Sequence, residues 1–162
     1  MKLRPASNAD SAAIVEIVNE AFRKVGDQVW LEGCDKDLSD VEGSYSQKGG
    51  AFVVLEKEGD IIGTHATIPV DPNHGLLTFR RLYLKTEYHG SEASRILFQW
   101  ALDWAMEQTF KRVEFWSDVR FTRAHAFFKK FGFINTGEIR HMNDAQLPYS
   151  EYRFFLDLPS GE

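Results

Sequence analysis

Cysteine is almost absent from this sequence, because Cys34 is the single thiol among 162 residues. An intrachain disulfide is therefore excluded, and so is a metal site built from several thiolates. The histidines lack the H-x-x-x-H spacing of a zinc-binding helix; they stand at positions 65, 74, 89, 125 and 141. We expect no metal, and we interpret Cys34 as a structural residue in a reducing compartment.

Long apolar runs and an excess of basic residues are also missing. The first five residues, M-K-L-R-P, lack the apolar core of a signal peptide, and charged residues interrupt every longer apolar stretch. We therefore expect a cytoplasmic protein without a membrane-spanning helix. The net charge of −5 argues against nucleic-acid binding, which favours a basic surface. The length suits one domain over residues 1–162.

The order of apolar patterns predicts a mixed α/β (α+β) fold. Helices are expected to begin after a cap at Asn8 or Asp10, near Ala93 and near Thr122. Because a helix joins the fourth and fifth strands, these two should be parallel in an otherwise mostly antiparallel central sheet. The prediction is therefore one βαβ crossover, with helices on both faces of the sheet. The strands are expected at residues 3–6, 51–55, 61–68, 76–84, 113–117, 133–140 and 152–158.

The junction between the fourth strand and the long helix carries the main functional signal. From Leu82 to Ser94 the chain reads L-Y-L-K-T-E-Y-H-G-S-E-A-S, so a strand passes through a short turn into an amphipathic helix. The first amides of a helix have no partner within it and lie at the positive end of its dipole. Such a junction can bind a phosphate. A turn with a purely structural role would have the same spacing, so the spacing alone leaves both open.

Four segments of the chain resemble the GNAT acetyltransferase superfamily, in that family's order. The junction resembles the family signature, in which a strand ending in L-Y-V leads to Y-R-G-x-G-x-G at the head of a helix. L-R-P-A at 3–6, together with Asp10, is similar to the family's first strand and helix. I-I-G at 61–63 resembles the return strand of its hairpin. R-A-H-A-F-F-K-K-F-G-F at 123–133 resembles its R-A-x-x-(F/L)-Y-E-K-L-G-F helix.

The resemblance implies an N-acetyltransferase that takes acetyl-CoA as its co-substrate and transfers the acetyl group to a primary amine by direct attack. In the family, the signature strand lines the pantetheine arm and the loop amides bind the pyrophosphate. A strand N–H, which we place at Leu84 or its neighbour, would polarise the thioester carbonyl. The acceptor is expected to be a small-molecule or peptide amine, and a homodimer is one expected assembly. The matching cofactor positions are Leu82, Tyr83, Leu84, His89, Gly90, Ser91, Glu92, Ala93 and Ser94.

The chain departs from the family pattern at five positions, which leaves two alternatives open. His89 replaces the usual Arg or Gln of the loop, and Glu92 and Ser94 replace glycines. Phe128 replaces the tyrosine that protonates the departing CoA sulfur, and Phe121 replaces an asparagine. Losing a general acid slows a reaction by roughly 10²–10⁴-fold without abolishing it. The alternatives are a degenerate GNAT domain that binds CoA or a partner without efficient catalysis, and an interaction module without a CoA site.

Two residues are candidates for the base that deprotonates the amine. His65 lies on the strand after Gly63, and a histidine titrates near the pH at which such a base must act. Asp118 stands at the end of the strand where the sheet is expected to splay. Each residue also has a structural interpretation, as a strand histidine bonded to a neighbour and as a turn residue. The sequence does not decide between these interpretations.

Charge is distributed unevenly along the segment that should border the acceptor. Between Asp27 and Glu42 six carboxylates face a single base, Lys36, and a cleft of that charge would attract a cationic amine. A solvated loop without substrate contact is the alternative. Arg80 and Arg81 could instead hold an acceptor carboxylate. Because adjacent strand residues point to opposite faces, we expect at most one of the two to reach the cleft.

Overall fold

The computed structural model describes residues 1–145 and 147–159, and its centre is a sheet. Within those residues the four helices are α1 (Ser11–Arg23), α2 (Val41–Ser44), α3 (Glu92–Glu107) and α4 (Thr122–Lys130). The seven strands are β1 (Lys2–Pro5), β2 (Ala51–Lys57), β3 (Asp60–Asp71), β4 (Leu76–Leu84), β5 (Arg112–Asp118), β6 (Ile134–Met142) and β7 (Tyr149–Asp157). The order of strands and helices is the one that the sequence predicts.

The strands lie in the order β1-β2-β3-β4-β5-β7-β6 across the sheet. Every neighbouring pair is antiparallel except β4 and β5, which α3 connects in parallel. This confirms the predicted mostly antiparallel sheet with one parallel crossover. β7 lies between β5 and β6, although it follows both of them in the chain.

The two parallel strands stay together only at their first residues. Leu76 is opposite Arg112, and Leu77 is opposite Val113. Beyond these two pairs β4 continues to Leu84 and β5 continues to Asp118 without pairing to each other. The sheet therefore opens into a gap at the carboxyl ends of both strands, as the sequence analysis expected.

Helices cover both faces of the sheet, and each face has its own core. On one face α3 and α4 pack an aromatic cluster that surrounds Phe98, whose side chain is fully buried. Two phenylalanine rings of α4 and two of the connection from α4 to β6 have their centroids 4.7–5.7 Å from the Phe98 ring centroid. On the other face Ile14 and Val18 of α1 pack against Val54 of β2 and Ala66 of β3. The prediction of helices on both faces is thus confirmed.

The first helix begins where expected, but its predicted cap works differently. A short turn at Asn8–Asp10 precedes α1, and Asp10 occupies the cap position without a side-chain bond to the first amides of the helix. Its carboxylate instead accepts the Ser7 N–H at 2.8 Å and two bonds from Arg4. The competing guanidinium explains why this carboxylate turns back toward β1.

A bulge in β4 overturns the expectation that Arg80 and Arg81 point to opposite faces. Ala66 of β3 is opposite Arg80 and Thr64 is opposite Tyr83, so Arg81 and the residue after it share one partner position. Arg81 has a φ of 60°, in the left-handed region. The extra residue interrupts the alternation of side chains along a strand. Both arginines are among the residues that line the cleft described below, so the expectation that at most one reaches it is wrong.

We predict that Phe98→Ala lowers the free energy of unfolding by about 3–5 kcal/mol, because it removes the ring at the centre of the aromatic cluster. For a chain of this size, that corresponds to a fall of roughly 6–20 °C in the melting temperature. Urea and thermal unfolding followed by circular dichroism would measure both. The neighbouring Gln99 is exposed, so Gln99→Ala should change the free energy by less than about 0.5 kcal/mol. Equal losses in the two variants would contradict this account of the core.

Candidate functional site

A cleft of about 560 Å³ follows the gap between β4 and β5. A volume of this order is typical of sites for small molecules and cofactors. Besides the two strands, its walls come from the segment between α1 and α2 (residues 24–40) and from the loop between β6 and β7. Among its lining residues are Leu82, Tyr83, Trp116, Ser117 and Asp118 of the strands, with Asp27, Cys34, Asp35, Asp144 and Tyr149 of the walls.

The end of β4 presents different side chains to the two faces and a backbone amide to the gap. Leu82 and Leu84 pack toward α3, whereas Tyr83 packs against Phe22 of α1 at 6.0 Å between ring centroids. The Lys85 N–H donates to β3, at the carbonyl of Ile62. Because successive N–H groups of a strand point in opposite directions, the Leu84 N–H is directed away from β3, toward the gap.

The turn after β4 leads directly into α3. Gly90 has a φ of 74°, a conformation that suits glycine, and a Cβ built there would meet no atom within 4 Å. The Ser91 hydroxyl donates to the Tyr88 carbonyl at 2.6 Å and accepts the Ala93 N–H at 3.2 Å. The backbone N–H groups of Glu92 and Ser94 belong to the first turn of α3 and have no hydrogen-bond partner within the helix.

Two side chains, His89 and Glu20, form hydrogen bonds at the turn between β4 and α3, and a third, Glu92, adds a negative charge there. The His89 ring donates from Nε2 to the Leu84 carbonyl at 3.0 Å, and its partial burial lowers the pKa of His89. Glu92 is exposed to solvent, so its carboxylate can turn away from a bound anion. Glu20 of α1 accepts the Thr86 N–H at 2.7 Å and the Thr86 hydroxyl at 2.5 Å. The sequence analysis missed Glu20, because 66 residues separate it from Thr86.

His65 contributes to the wall of the cleft, but its side chain is fully buried. Its Nδ1 lies 3.0 Å from the Leu97 carbonyl and therefore donates to it, while Nε2 has no partner among the described residues. Burial lowers the pKa of His65 to about 4. The rings of Phe79 and Phe98 lie within 5.2 and 5.7 Å of the imidazole. These observations weigh against proton exchange with an acceptor, and the role of His65 as the base stays a prediction.

Asp118 ends β5 at the opening of the gap, as the sequence analysis expected. Its carboxylate lines the cleft and is 12% exposed. Both of its oxygens accept bonds from Arg120, at 2.9 Å from Nε and at 2.5 Å from Nη2. The cleft therefore brings Asp118 together with Leu82 and Tyr83, whereas residues 89–94 lie outside its lining.

The tyrosine position of the family holds a phenylalanine that is part of the core. Phe128 is 6% exposed and packs against Phe115 and Phe154, so it offers no proton to a leaving group. Close to it the Ser117 hydroxyl lies 3.1 Å from Nε2 of His125. Ser117 lines the cleft, and the sequence analysis missed this pair because no spacing rule joins a strand serine to a helix histidine.

Two carboxylates of the acidic segment share one positive charge from β4, which reduces the expected negative charge of this wall by one. Asp35 and Asp37 both bind Arg81, and Asp37 also accepts the Tyr45 hydroxyl at 2.6 Å. Burial acts to raise the pKa of Asp37, but the charge and hydrogen bonds of Arg81 outweigh it, so that pKa lies below its ordinary value. Of the six carboxylates, Asp27 lines the cleft without an ion pair among the described residues.

The chain belongs to the GNAT family of acetyltransferases. The model of that family, described as "Acetyltransferase (GNAT) family", matches residues 12–133, which include both signature helices. This confirms the resemblance on which the sequence analysis relied, and with it acetyl-CoA as the co-substrate. Among the described residues, no helix is long and apolar enough to cross a membrane, and no group of histidine, cysteine, aspartate and glutamate is arranged to hold a metal ion.

Curated relatives carry the name N-acetyltransferase. N-acetyltransferase 8 of Rattus norvegicus is 31% identical over 106 residues, which are 63% of this chain and 48% of the relative. N-acetyltransferase 8 of Homo sapiens is 27% identical over 142 residues, which are 82% of this chain and 63% of the relative. The chain thus spans about half to two thirds of the length of these mammalian proteins. YjgM of Escherichia coli K12, an uncharacterized N-acetyltransferase, is 24% identical over 135 residues, which are 81% of this chain and 80% of YjgM.

Solved structures share the fold along nearly the whole chain. A GNAT-family acetyltransferase from Staphylococcus aureus superposes with a TM-score of 0.81, at 16% identity, over 98% of this chain and 99% of its own. The YncA protein of Salmonella typhimurium, solved with its cofactor acetyl-CoA, superposes with a TM-score of 0.77 at 19% identity. That match covers 100% of this chain and 96% of YncA. At such identities the likeness establishes the fold alone.

We predict that His65 makes the protein less stable as the pH falls from 6.5 to 4. The folded pKa of about 4 lies below the ordinary 6.5, so the unfolded chain binds the proton first. The stabilisation is fully present above pH 6.5 and is lost on the way to pH 4, by about 2–3 kcal/mol in all. Urea denaturation at pH 7.5 and 4.5 should show this loss in the wild type and not in His65→Leu. Substitution of the exposed His141 should leave the wild-type loss intact, and a His65→Leu protein that still shows it would refute the assignment.

Proposed function

We propose that this protein is an acetyl-CoA-dependent N-acetyltransferase that transfers the acetyl group to a primary amine by direct attack. The observation that carries the proposal is the gap between β4 and β5, which pair only at Leu76 and Leu77. The gap borders Leu82 and Tyr83 of the cleft lining, and we expect it to connect the cleft with the proposed phosphate site at the head of α3. A donor and an acceptor could thus meet there from opposite sides.

The cofactor positions are proposed as the sequence analysis has them. The main chain from Leu82 to Leu84 would line the pantetheine arm, because β4 has no partner strand on that side beyond Leu77. The turn from His89 to Ser94 would hold the pyrophosphate with the amides that α3 leaves unpaired. The absence of a Cβ at Gly90 and the outward freedom of the Glu92 side chain both favour a close approach of the anion.

The chemistry asks little of the protein beyond positioning and polarisation. A new bond forms between the amine nitrogen and the acetyl carbon, and the bond between that carbon and the CoA sulfur breaks. The Leu84 N–H would stabilise the charge that develops on the carbonyl oxygen, a contribution that is commonly about 3–4 kcal/mol. The amine proton would pass to Asp118, which lines the cleft, either directly or through water. Because Phe128 has no proton to give, water would protonate the departing thiolate.

The charge of the cleft determines how strongly it would select a positively charged acceptor. A cationic amine would still be attracted by Asp27, whose carboxylate lines the cleft. Asp35 and Asp37 add less to that attraction than two free carboxylates would, because both bind Arg81 and the three side chains together keep one net negative charge. We therefore propose a primary amine, on a small molecule or a peptide, with a weaker selection for positive charge than the composition of the segment suggests. The single domain over 1–162, the cytoplasmic location and a homodimer stay predictions.

We predict that Gly90→Val weakens acetyl-CoA binding by at least about tenfold, because valine avoids a φ of 74° and its branched Cβ would crowd the phosphate site. Isothermal titration calorimetry would measure the dissociation constant. Gly137 offers a matched control, with a φ of 84° and no atom within 4 Å of a built Cβ, on β6. Gly137→Val should suffer similar backbone strain and bind acetyl-CoA as the wild type does. Unchanged affinity in a folded Gly90→Val protein would remove the phosphate site from this turn.

The proposed activity predicts that acetyl-CoA and CoA both raise the melting temperature, and that an amine releases free CoA from acetyl-CoA. Thiol detection over a panel of spermidine, kanamycin, a lysine-containing peptide and neutral phenylalanine would measure turnover, and mass spectrometry would identify the acetylated amine. Asp118→Asn should lower kcat by about 10²-fold or more, with little change in acetyl-CoA affinity. Stabilisation by acetyl-CoA and CoA with no turnover would favour the degenerate GNAT domain. The departures from the family pattern at Glu92, Ser94 and Phe128 support that alternative. No stabilisation would contradict both functions.

A further inference from the structure

The bulge in β4 is held in a conformation that its own residue does not favour. Arg81 has a φ of 60°, a value that glycine or asparagine adopts more readily than a long side chain. A conformation of this kind persists only where the surroundings fix it, and such residues cluster at functional sites. Here the Thr64 hydroxyl donates to the Arg81 carbonyl at 2.7 Å, which ties the bulge to β3.

The Arg81 side chain supplies the second restraint. Its Nε and Nη2 bind the two oxygens of Asp37 at 3.0 and 2.6 Å, and its Nη1 binds Asp35 at 3.0 Å. The Arg81 side chain is 11% exposed, and those of Asp35 and Asp37 are 5% and 16% exposed. The planar guanidinium thus uses the two-pronged geometry that lysine cannot reproduce. We call these three residues the Arg81 clamp.

The clamp joins two walls of the cleft. Arg81 lies on β4, immediately before Leu82, which borders the gap. Asp35 and Asp37 lie on the segment between α1 and α2, which also lines the cleft through Asp27 and Cys34. From residue 24 to residue 35 this segment has turns and no helix, and side chains of neighbouring elements bind its first half, where Asn19 accepts the Val29 N–H at 2.7 Å and Arg120 donates to the Val25 carbonyl at 3.2 Å. Within it, the Trp30 N–H donates to the second oxygen of Asp35 at 2.9 Å.

We propose that Arg81 is a positioning residue for the acceptor amine, because the Arg81 clamp holds the segment between α1 and α2 in place as the acceptor wall of the cleft. This role rests on the proposed function. Arg81 touches neither reacting group, since its donors are directed to the two carboxylates. It acts by keeping one wall in register with β4, whose Leu84 N–H would polarise the thioester carbonyl.

The variant that tests the clamp is Arg81→Lys, which keeps the charge and loses the paired geometry. Arg4→Lys is the matched control, because Arg4 also binds two carboxylates, with two bonds to Asp10 and one to Glu56, and lies outside the cleft lining. Two measurements are made on each protein. Maleimide labelling of Cys34, the single thiol, reports the segment without any need for activity. Steady-state kinetics with the best amine of the panel gives kcat and the acceptor KM.

Arg81→Lys should label Cys34 at least about fivefold faster, because the thiol pKa of about 11 depends on the burial that the clamp maintains. The acceptor KM should rise by about tenfold, the equivalent of one charge-assisted hydrogen bond, with a smaller change in kcat. The dissociation constant of acetyl-CoA should stay within about twofold, since the phosphate turn is not part of the clamp. Arg4→Lys should lose stability and change none of these quantities.

Three results would overturn the proposal. Unchanged Cys34 labelling would mean that Arg81 does not hold the segment. Faster labelling with an unchanged acceptor KM would mean that the segment does not position the acceptor. Failure of the wild type to acetylate any amine would refute the proposed function and the acceptor role with it, while the labelling would still report whether the clamp exists. If Arg81→Lys does not fold, Asp37→Asn leaves the bond from Arg81 to Asp35 available, and the same measurements on that variant decide.

Discussion

The shortness of the parallel pairing between β4 and β5 is the constraint on which the rest of the site depends. Two residue pairs hold these strands together, and the peptide groups beyond them need other partners. Buried backbone without partners would be costly, so the chain keeps this region open to solvent as a cleft. A ligand with its own amides and carbonyls can then take the place of the missing strand. The helix that makes the parallel crossover begins at Glu92, a short turn after β4 ends at Leu84.

Local patterns were sufficient to predict most of the fold. The expected bounds of β4, residues 76–84, are those of the structure, and α3 begins one residue before the expected Ala93. In both places a long periodic segment ends at a recognisable turn, so the signal lies within a few residues. The bulge at Arg81 gave no such signal. Glycine in a sequence indicates a possible left-handed backbone conformation, whereas arginine does not. The sequence analysis therefore could not predict how the bulge changes the directions of the Arg80 and Arg81 side chains.

The parts of the candidate site that are contiguous in sequence could be predicted, whereas the parts that depend on distant residues could not. The turn from His89 to Ser94 could be predicted, because its strand, loop and helix follow one another in the chain. The partners of Arg81 lie 44 and 46 residues away, and only the folded sheet brings them together. Composition had suggested an acidic wall, but it could not show that two of the carboxylates share the charge of Arg81. The burial of His65 depended in the same way on the packing of α3, which no spacing rule could supply.

The location of β7 between β5 and β6 matters for the synthesis of the chain. β5 and β6 leave the ribosome before β7; β5 can pair with β4, but β6 cannot join the sheet until the strand at residues 149–157 has emerged. Until then β5 exposes an unpaired edge beside Phe115 and Trp116, a template on which another chain can pair. Emergence of β7 therefore removes an edge on which nascent chains can aggregate.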